Sequence, residues 1–381
     1  MKKEILHGLL CVSLFFFICI THTAAQKPWT FLVYMAAVND LHQFAQLDLQ
    51  EMMKIGSNDN INILVYLMIQ EENKTKVTKK LYVEPGALVQ IGETTARDSG
   101  DVVSLEEALM WACKDYPSDH IAVVLWGEGS GSLNRFQTHG LSKGVCYDHD
   151  AGYYLTDCDC LQAFSWGRDF VRNGKKFDVI IFDASFLASL EIAYTLSSCA
   201  DYMVAPQDDF FAVGYQYADV LYQCATQRID SSSLALYMMN ASHSFSVVDL
   251  TALQPLVDNC NAVAHILSSQ LMSKHRKVVK ATLKKCINIH NCPSFNEDMY
   301  IDLCQFYKNL LQHSAGLHIS KSYVNQFKRL LNDGIQLFSH IIKGHGISIY
   351  FSRYMIDPSY YGLYWTQQNP SWLQFLEAFI S

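Results

Sequence analysis

Six short runs rich in Val, Ile, Tyr and Phe are hydrophobic at nearly every position, not only at every second one. Continuous hydrophobicity is typical of strands that are covered on both faces, as in a parallel sheet. Each run therefore predicts a buried strand. The predicted strands are Thr30–Ala36, Ile61–Ile69, Ile121–Trp126, Val179–Phe182, Tyr202–Ala205 and Ile347–Phe351.

Segments with helical periodicity separate these strands. Ser104 and Glu107 have the spacing of a capping box, which predicts that a helix begins there. Further helices are predicted at Asp157–Val171 and Ser189–Ser198. In each of two segments, the apolar residues lie on one face of a predicted helix. They are Leu41, Phe44, Ala45, Leu49 and Met52 in the first segment, and Leu105, Ala108, Leu109 and Ala112 in the second. This alternation up to about Tyr217 is the pattern of a doubly wound α/β sheet.

The second half of the chain has a different character. From about residue 218 to 345, Leu and Met recur at helical spacing and strand-like runs are few, so we expect a mainly helical region. Residues 346–381 then supply the strand Ile347–Phe351, which we expect to return to the sheet, and a closing helix around Trp372–Phe379. With no internal repeat or low-complexity linker, residues 26–381 are predicted to form one large domain.

The N-terminus has the pattern of a signal peptide over residues 1–25. Lys2 and Lys3 precede the apolar run Leu9–Ile20, and the small residues Thr23–Ala25 follow it. The run is shorter than the roughly 20 residues of a spanning helix. We therefore expect export to a periplasm, a cell surface or the medium, with an uncleaved membrane anchor as the alternative. The net charge of -8 and the absence of basic clusters argue against a nucleic-acid partner.

Cleavage after residue 25 would leave ten of the twelve cysteines. An even number in an exported chain permits disulfides, although the density is too low for a disulfide scaffold. Cys286 and Cys292 are the most plausible local pair. Cys158 and Cys160 form a C-x-C without a second ligand pair at zinc spacing, so no metal site is predicted.

Two strand ends carry candidate chemistry, because functional groups in doubly wound sheets lie beyond the carboxyl ends of strands. After the strand Ile121–Trp126 comes a loop in which Gly127, Gly129 and Gly131 alternate with Glu128 and Ser130. Such a loop can expose backbone N–H groups to a ligand, or it can be an ordinary flexible turn.

The second strand end is Asp183-Ala184-Ser185. The buried strand ends at Asp183, and Ser185 is expected to start the next helix. Its hydroxyl is either a helix cap or a functional group.

Many separated segments resemble, in order, the clostripain family of cysteine peptidases, within the wider caspase-like group. This resemblance implies an α/β fold, a three-layer caspase-like sandwich with a mostly parallel central sheet and a helical C-terminal region. The matching segments are Trp29–Ala37, Asn39–Leu41, Asp98–Asp101, Tyr116–His120, Lys176–Asp178, Phe182–Ala184, Ala200–Val204 and Gly346–Phe351.

The chain departs from the family at both catalytic positions. The family's histidine lies in a Leu-Trp-Asp-His-Gly-x-Gly loop, where this chain has Glu128, and its nucleophile lies in Phe-Asp-Ala-Cys, where this chain has Ser185. A glutamate with a pKa of about 4.3 is a weaker base than a histidine near 6.5. A serine hydroxyl is also a far weaker acid than a thiol. Loss of one triad member costs roughly 10⁶-fold in turnover in a measured hydrolase. The degenerate dyad therefore predicts an inactive cysteine peptidase.

The resemblance also suggests a substrate pocket and an activation site. Asp183, with the acidic pair Asp208-Asp209 in a nearby loop, is expected to border a pocket for a basic side chain of a peptide or protein ligand. Asp183 can equally be a structural cap at the strand end, and for Asp208-Asp209 a solvated loop is the favoured alternative. Lys143 precedes Gly144 near the place where related enzymes are cut, and without a dyad self-cleavage should fail. Calcium is a cofactor that the resemblance alone suggests; otherwise no cofactor is expected.

Three functions stay open on the sequence. The leading one is a pseudopeptidase, an exported binding or regulatory protein. The second is an active hydrolase that cleaves after Arg or Lys, with Ser185 as nucleophile and Glu128 as base. The third is a relocated cysteine nucleophile, for which Cys146 near His149 and His139, or Cys199, are the candidates.

Overall fold

The computed structural model describes residues 26–131, 144–209, 214–241, 245–296, 298–334 and 345–381. The predicted signal peptide, His139 and Lys143 lie outside these residues. Within them, no helix combines the length and the apolar character that crossing a membrane requires.

The described strands, in chain order, are β1 (Lys27–Ala37), β2 (Ile61–Gln70), β3 (Lys76–Glu84), β4 (Ala87–Thr95), β5 (Ser118–Trp126), β6 (Val145–Asp148), β7 (Tyr153–Leu155), β8 (Phe177–Asp183), β9 (Ala200–Pro206), β10 (Phe245–Asp249), β11 (Ser294–Phe295), β12 (Tyr300–Asp302) and β13 (Ser348–Tyr350). The described helices are α1 (His42–Ile55), α2 (Val102–Asp115), α3 (Asp157–Trp166), α4 (Leu190–Leu196), α5 (Tyr217–Thr226), α6 (Ser231–Asn240), α7 (Gln254–Leu271), α8 (Arg276–Cys286), α9 (Leu303–Gln312), α10 (Ser314–Leu317), α11 (Lys321–Gly334), α12 (Tyr364–Gln368) and α13 (Pro370–Ile380).

Eight strands form the central sheet, in the order β10-β9-β8-β5-β1-β2-β3-β4. The five strands from β9 to β2 are parallel to one another, and β10, β3 and β4 are added antiparallel at the two edges. The sheet is therefore mostly parallel at its centre, as the continuous hydrophobic runs predict.

Both faces of the sheet are buried, which makes three layers. Along β1, Leu32 and Tyr34 join one hydrophobic cluster, whereas Phe31 and Val33 join the other, because successive side chains of a strand point to opposite faces. Helices α1, α5 and α6 cover one face. Helices α2, α3 and α4 cover the other, where the C-terminal helices extend the same core.

The predicted return of the last strand to the central sheet is wrong. Strand β13 pairs with β12 in a separate sheet of order β11-β12-β13, and only an isolated bridge joins Ser348 to Ser189. Strand β10 pairs with the edge of β9 at which a returning strand would otherwise have paired. The region from 218 to 345 contains α5 to α11 as expected, but also the short strands β10, β11 and β12.

Helix α2 starts at a different residue from the predicted one, whereas α3 starts at Asp157 as predicted. Helix α2 begins at Val102, and the side chain of Asp101 accepts from the backbone N–H of Val103, so the predicted start at Ser104 is wrong. Ser104 is instead buried within the helix. Helix α3 has the capping box that the sequence analysis did not identify, formed by Thr156 and Asp159.

Candidate functional site

The two candidate loops leave neighbouring strands at the same edge of the sheet. Strands β5 and β8 are parallel and place Trp126 beside Asp183, and the backbone N–H of Gly127 donates to the Asp183 carbonyl at 3.1 Å. The loop of Glu128 and the loop of Ser185 therefore emerge side by side, at the place where doubly wound sheets hold their functional groups.

Gly129 allows these two loops to touch. A Cβ at this position would lie 2.6 Å from the carbonyl oxygen of Ser185 and 2.8 Å from its backbone nitrogen. Both distances are too short for real atoms, so a side chain would push the loops apart. Gly127 is also required, because its φ of 150° is one that other residues rarely adopt. Gly131 ends the described part of this loop.

Glu128 pairs with a histidine from a distant segment. Nε2 of His149 lies 3.0 Å from Oε1 of Glu128, and since an ionised carboxylate can only accept, the imidazole donates. Partial burial raises the pKa of Glu128, and the neighbouring His149 opposes this effect. The side chains of Glu128 and His149 are 35% and 38% exposed, so this carboxylate–imidazole pair lies at the surface of the loop.

The hairpin β6–β7 positions His149. The backbone N–H of Cys146 donates to the Glu128 carbonyl at 3.0 Å, which attaches the hairpin to the glycine loop. Asp148 is fully buried, accepts from the backbone N–H groups of Asp150 and Ala151, and forms an ion pair with Lys76. From the sequence, His149 is a candidate partner for Cys146 only. Its pairing with Glu128 depends on the hairpin, which carries no strong sequence signal.

Ser185 lies in a loop, so the expectation that it starts a helix is wrong. Helix α4 begins at Leu190, and Ser189 is its cap. Phe186 has a φ of 65°, a left-handed conformation that prevents a helix from starting at Ser185. The Ser185 hydroxyl donates to Oδ1 of Asp209 at 2.9 Å. The acidic segment that follows β9 thus faces Ser185.

Asp183 is buried below this loop. It is 5% exposed, and its Oδ2 accepts from the hydroxyl of Tyr217 at 2.7 Å. The carboxyl of Asp48, from α1, lies close by and accepts from the indole N–H of Trp126 at 2.7 Å. Burial raises the pKa of both carboxyl groups.

Asp208 occupies a different position from Asp183. It is half-buried, and its carbonyl accepts from the backbone N–H of Phe186 at 3.2 Å. The structure therefore brings the acidic segment to Ser185, with Asp209 in direct contact. The pocket expected from the resemblance is bordered by both Asp208 and Asp209, and of the two it is Asp209 whose side chain contacts Ser185.

The ten cysteines from Cys113 to Cys304 are free thiols, so the predicted Cys286–Cys292 disulfide is wrong. Cys286 ends α8 on its buried face, and Sγ of Cys292 lies 3.6 Å from the carbonyl oxygen of Asp302. Burial raises the pKa of both thiols to about 12. These two cysteines therefore pack as small apolar side chains.

The candidate relocated nucleophiles, Cys146 and Cys199, are fully buried as well. Burial raises the pKa of Cys146 well above its usual range, and its Sγ lies 3.7 Å from the Trp126 carbonyl oxygen. A protonated, buried thiol is a poor nucleophile.

The residues described here contain no cluster of three or more His, Cys, Asp or Glu side chains that could hold a metal ion. Calcium binding stays a prediction of the resemblance alone.

Comparison with known proteins identifies the family. The model of the clostripain family, Peptidase_C11, matches residues 33–378. The chain belongs to the clostripain family. No curated protein matches it significantly.

Solved structures share the fold of this clostripain-family chain. One is a secreted C11 cysteine protease from Bacteroides thetaiotaomicron in complex with an irreversible peptide inhibitor, with 20% identity and a TM-score of 0.65 over 92% of this chain and 99% of that one. Another is an inactive zymogen C11 protease from Parabacteroides distasonis, with 20% identity and a TM-score of 0.64 over 90% and 98%. At this identity the likeness establishes the fold alone.

Proposed function

We propose that this clostripain-family chain is an exported pseudopeptidase, a binding or regulatory protein that keeps the peptidase cleft without the cysteine–histidine dyad. The proposal is based on the side chains in the two strand-end loops and on their hydrogen bonds. Glu128 and Ser185 stand at the family's catalytic positions, and each is hydrogen-bonded to a residue outside the dyad, to His149 and to Asp209.

Neither residue supplies what cysteine-peptidase chemistry needs. That chemistry requires a thiolate, formed when an imidazole of suitable pKa removes the thiol proton. Ser185 has a hydroxyl, which donates to Asp209. Glu128 is a carboxylic acid, and an ionised glutamate cannot protonate a leaving amine.

The ligand that we propose is a peptide or protein segment with an Arg or Lys side chain. Asp183 lies directly below the Ser185 loop, and Asp208 and Asp209 face the loop from β9. An Arg or Lys side chain that entered between these acids would be attracted by their carboxylates, which are partly shielded from water. Export is supported by the N-terminal pattern and by the description of one structural relative as secreted.

A second candidate is a serine-type hydrolase. Partial burial raises the pKa of Glu128, which moves this carboxylate toward the range of a general base. In that mechanism the carboxylate would remove the proton of the Ser185 hydroxyl, and the alkoxide would attack the peptide carbonyl. The observation that disfavours it is that the Ser185 hydroxyl donates to Asp209.

Peptide turnover by the wild type and by Ser185→Ala separates these candidates. Residues 26–381 would be incubated with fluorogenic peptides that end in Arg or Lys, from acidic to weakly alkaline pH, with and without calcium. The same peptides would be tested for binding by fluorescence anisotropy, with Glu-ending peptides as controls. We expect binding of the basic peptides without turnover by either protein. Turnover that disappears in Ser185→Ala would establish the hydrolase instead.

A further inference from the structure

Two buried carboxyl groups from different elements lie close together below the Ser185 loop. Asp48 on α1 is 2% exposed and Asp183 at the end of β8 is 5% exposed. Both pack against Gly214, where a Cβ would lie 3.2 Å from Oδ2 of Asp48 and 3.5 Å from Oδ2 of Asp183. The φ of Gly214 is 70°, a backbone conformation that residues with a side chain rarely adopt. Both this conformation and the short Cβ distance to Asp48 disfavour a side chain at this position. The two acids therefore meet at one place below the Ser185 loop.

No cation neutralises this pair within the described part of the chain. The hydrogen-bond donors are neutral. Trp126 donates its indole N–H to Asp48. The Tyr217 hydroxyl and the Tyr215 backbone N–H donate to Asp183. The other titratable groups that face the pair are Glu51 and Tyr215, neither of which is positive. Two buried carboxylates so placed repel each other, and ionisation of the second is strongly disfavoured.

We propose that Asp48 is a further specificity-determining residue of the cleft, and that the empty Asp48–Asp183 pair retains one proton, which an incoming guanidinium or ammonium group displaces. This inference rests on the proposed binding of a basic ligand in the cleft. The charges balance: the empty pair carries one negative charge, the ligand brings one positive charge, and one proton leaves to the buffer. The occupied pair then carries two negative charges, opposed by the ligand cation.

Two consequences distinguish this arrangement from a pocket with a single aspartate. Binding of a cation releases about one proton, and affinity rises by up to about tenfold per pH unit while that proton is retained. In Asp48→Asn, the amide can still accept from Trp126, and Asp183 no longer faces a second carboxylate. Because burial raises the pKa of Asp183 to about 7, at about pH 8 this carboxyl is mostly ionised and almost no proton remains to be displaced. Because a charged hydrogen-bond acceptor is lost, we expect cation affinity to fall by about 10- to 100-fold.

Titration calorimetry with benzamidine, a small amidinium cation, tests the proposal on residues 26–381. Measurement in two buffers of different ionisation enthalpy gives the number of protons released. At about pH 8 we expect about one for the wild type, almost none for Asp48→Asn, and the wild-type value for Glu72→Gln, a control at an exposed acid. Wild-type binding without proton release, or equal affinity in Asp48→Asn, would overturn the proposal.

Infrared spectroscopy of the ligand-free protein separates this inference from the proposed function. A retained proton gives a carboxylic-acid carbonyl band at about pH 8, and the difference spectrum between wild type and Asp48→Asn isolates it from other buried acids. If benzamidine does not bind but the band is lost in Asp48→Asn, basic-ligand binding is refuted and proton retention stands. If the two spectra agree, the pair retains no proton and the inference is refuted, whatever the cleft binds.

Discussion

At the scale of single residues, the partners of Glu128 and Ser185 are the finding that the sequence could not supply. The positions themselves are visible, because each lies in a motif that resembles the family's. The partners His149 and Asp209 are 21 and 24 residues away, in loops with no pattern of their own. Which side chains meet there depends on the hairpin β6–β7 and on the segment after β9.

Buried acids are a second feature at this scale. Glu191 is 1% exposed, and its Oε1 accepts from the Tyr350 backbone N–H and the Tyr360 hydroxyl. The sequence places Glu191 near the start of a helix but gives no sign that it is buried. Burial raises its pKa from 4.5 to about 7.

We predict that Glu191→Gln becomes more stable relative to the wild type as pH rises. The folded wild type keeps the Glu191 proton up to about pH 7, whereas the unfolded chain loses it near 4.5. The contribution of this proton to the free energy of unfolding is therefore fully present at acidic pH. It is lost between about pH 4.5 and about pH 7, at up to about 1.4 kcal/mol per pH unit.

Urea unfolding at about pH 5 and about pH 8 measures this difference. Exposed Glu72 provides the matched control, because Glu72→Gln should not change the pH dependence. An equal pH dependence in the wild type and in Glu191→Gln would contradict the prediction.

At the scale of elements, burial decides what could be predicted. The central strands β1, β2, β5, β8 and β9 were predicted, because strands covered on both faces are continuously hydrophobic. The antiparallel β3 and β4 were missed, since most of their residues are partly or fully exposed and their sequences contain Lys, Glu and Thr. Strand β13 was predicted, but its pairing was not, because its hydrophobic run is equally compatible with either sheet.

The hairpin β6–β7, which carries His149, depends on the buried Asp148–Lys76 ion pair. We predict that Lys76→Met destabilises the fold by roughly 2–4 kcal/mol, because it leaves the fully buried Asp148 without its cation. The double variant Lys76→Met/Asp148→Asn should recover part of this loss. Urea unfolding provides the measurement.

Lys79 is the matched control on the same strand. It pairs with Glu71, whose side chain is 41% exposed, so Lys79→Met should cost less than about 1 kcal/mol. Equal losses for Lys76→Met and Lys79→Met would show that the buried pair does not stabilise the hairpin.

At the scale of the whole molecule, this clostripain-family chain has a three-layer fold around an eight-stranded sheet, with Glu128 and Ser185 in the loops after two neighbouring strands. The fold class and the family could be predicted because they depend on many separated segments. The arrangement at the two strand ends could not, since it depends on a few contacts such as Gly129 with Ser185 and Gly214 with Asp48. The proposed function requires that this frame still forms a competent cleft.

Restoring the dyad tests that requirement most directly. The double variant Glu128→His/Ser185→Cys of residues 26–381 would be assayed beside the wild type with peptides that end in Arg or Lys. We predict that the wild type is silent and that the double variant cleaves, because only the dyad is missing from the cleft. Cleavage by the wild type that is lost in Ser185→Ala would contradict the account, since the unaltered cleft would then already be a hydrolase.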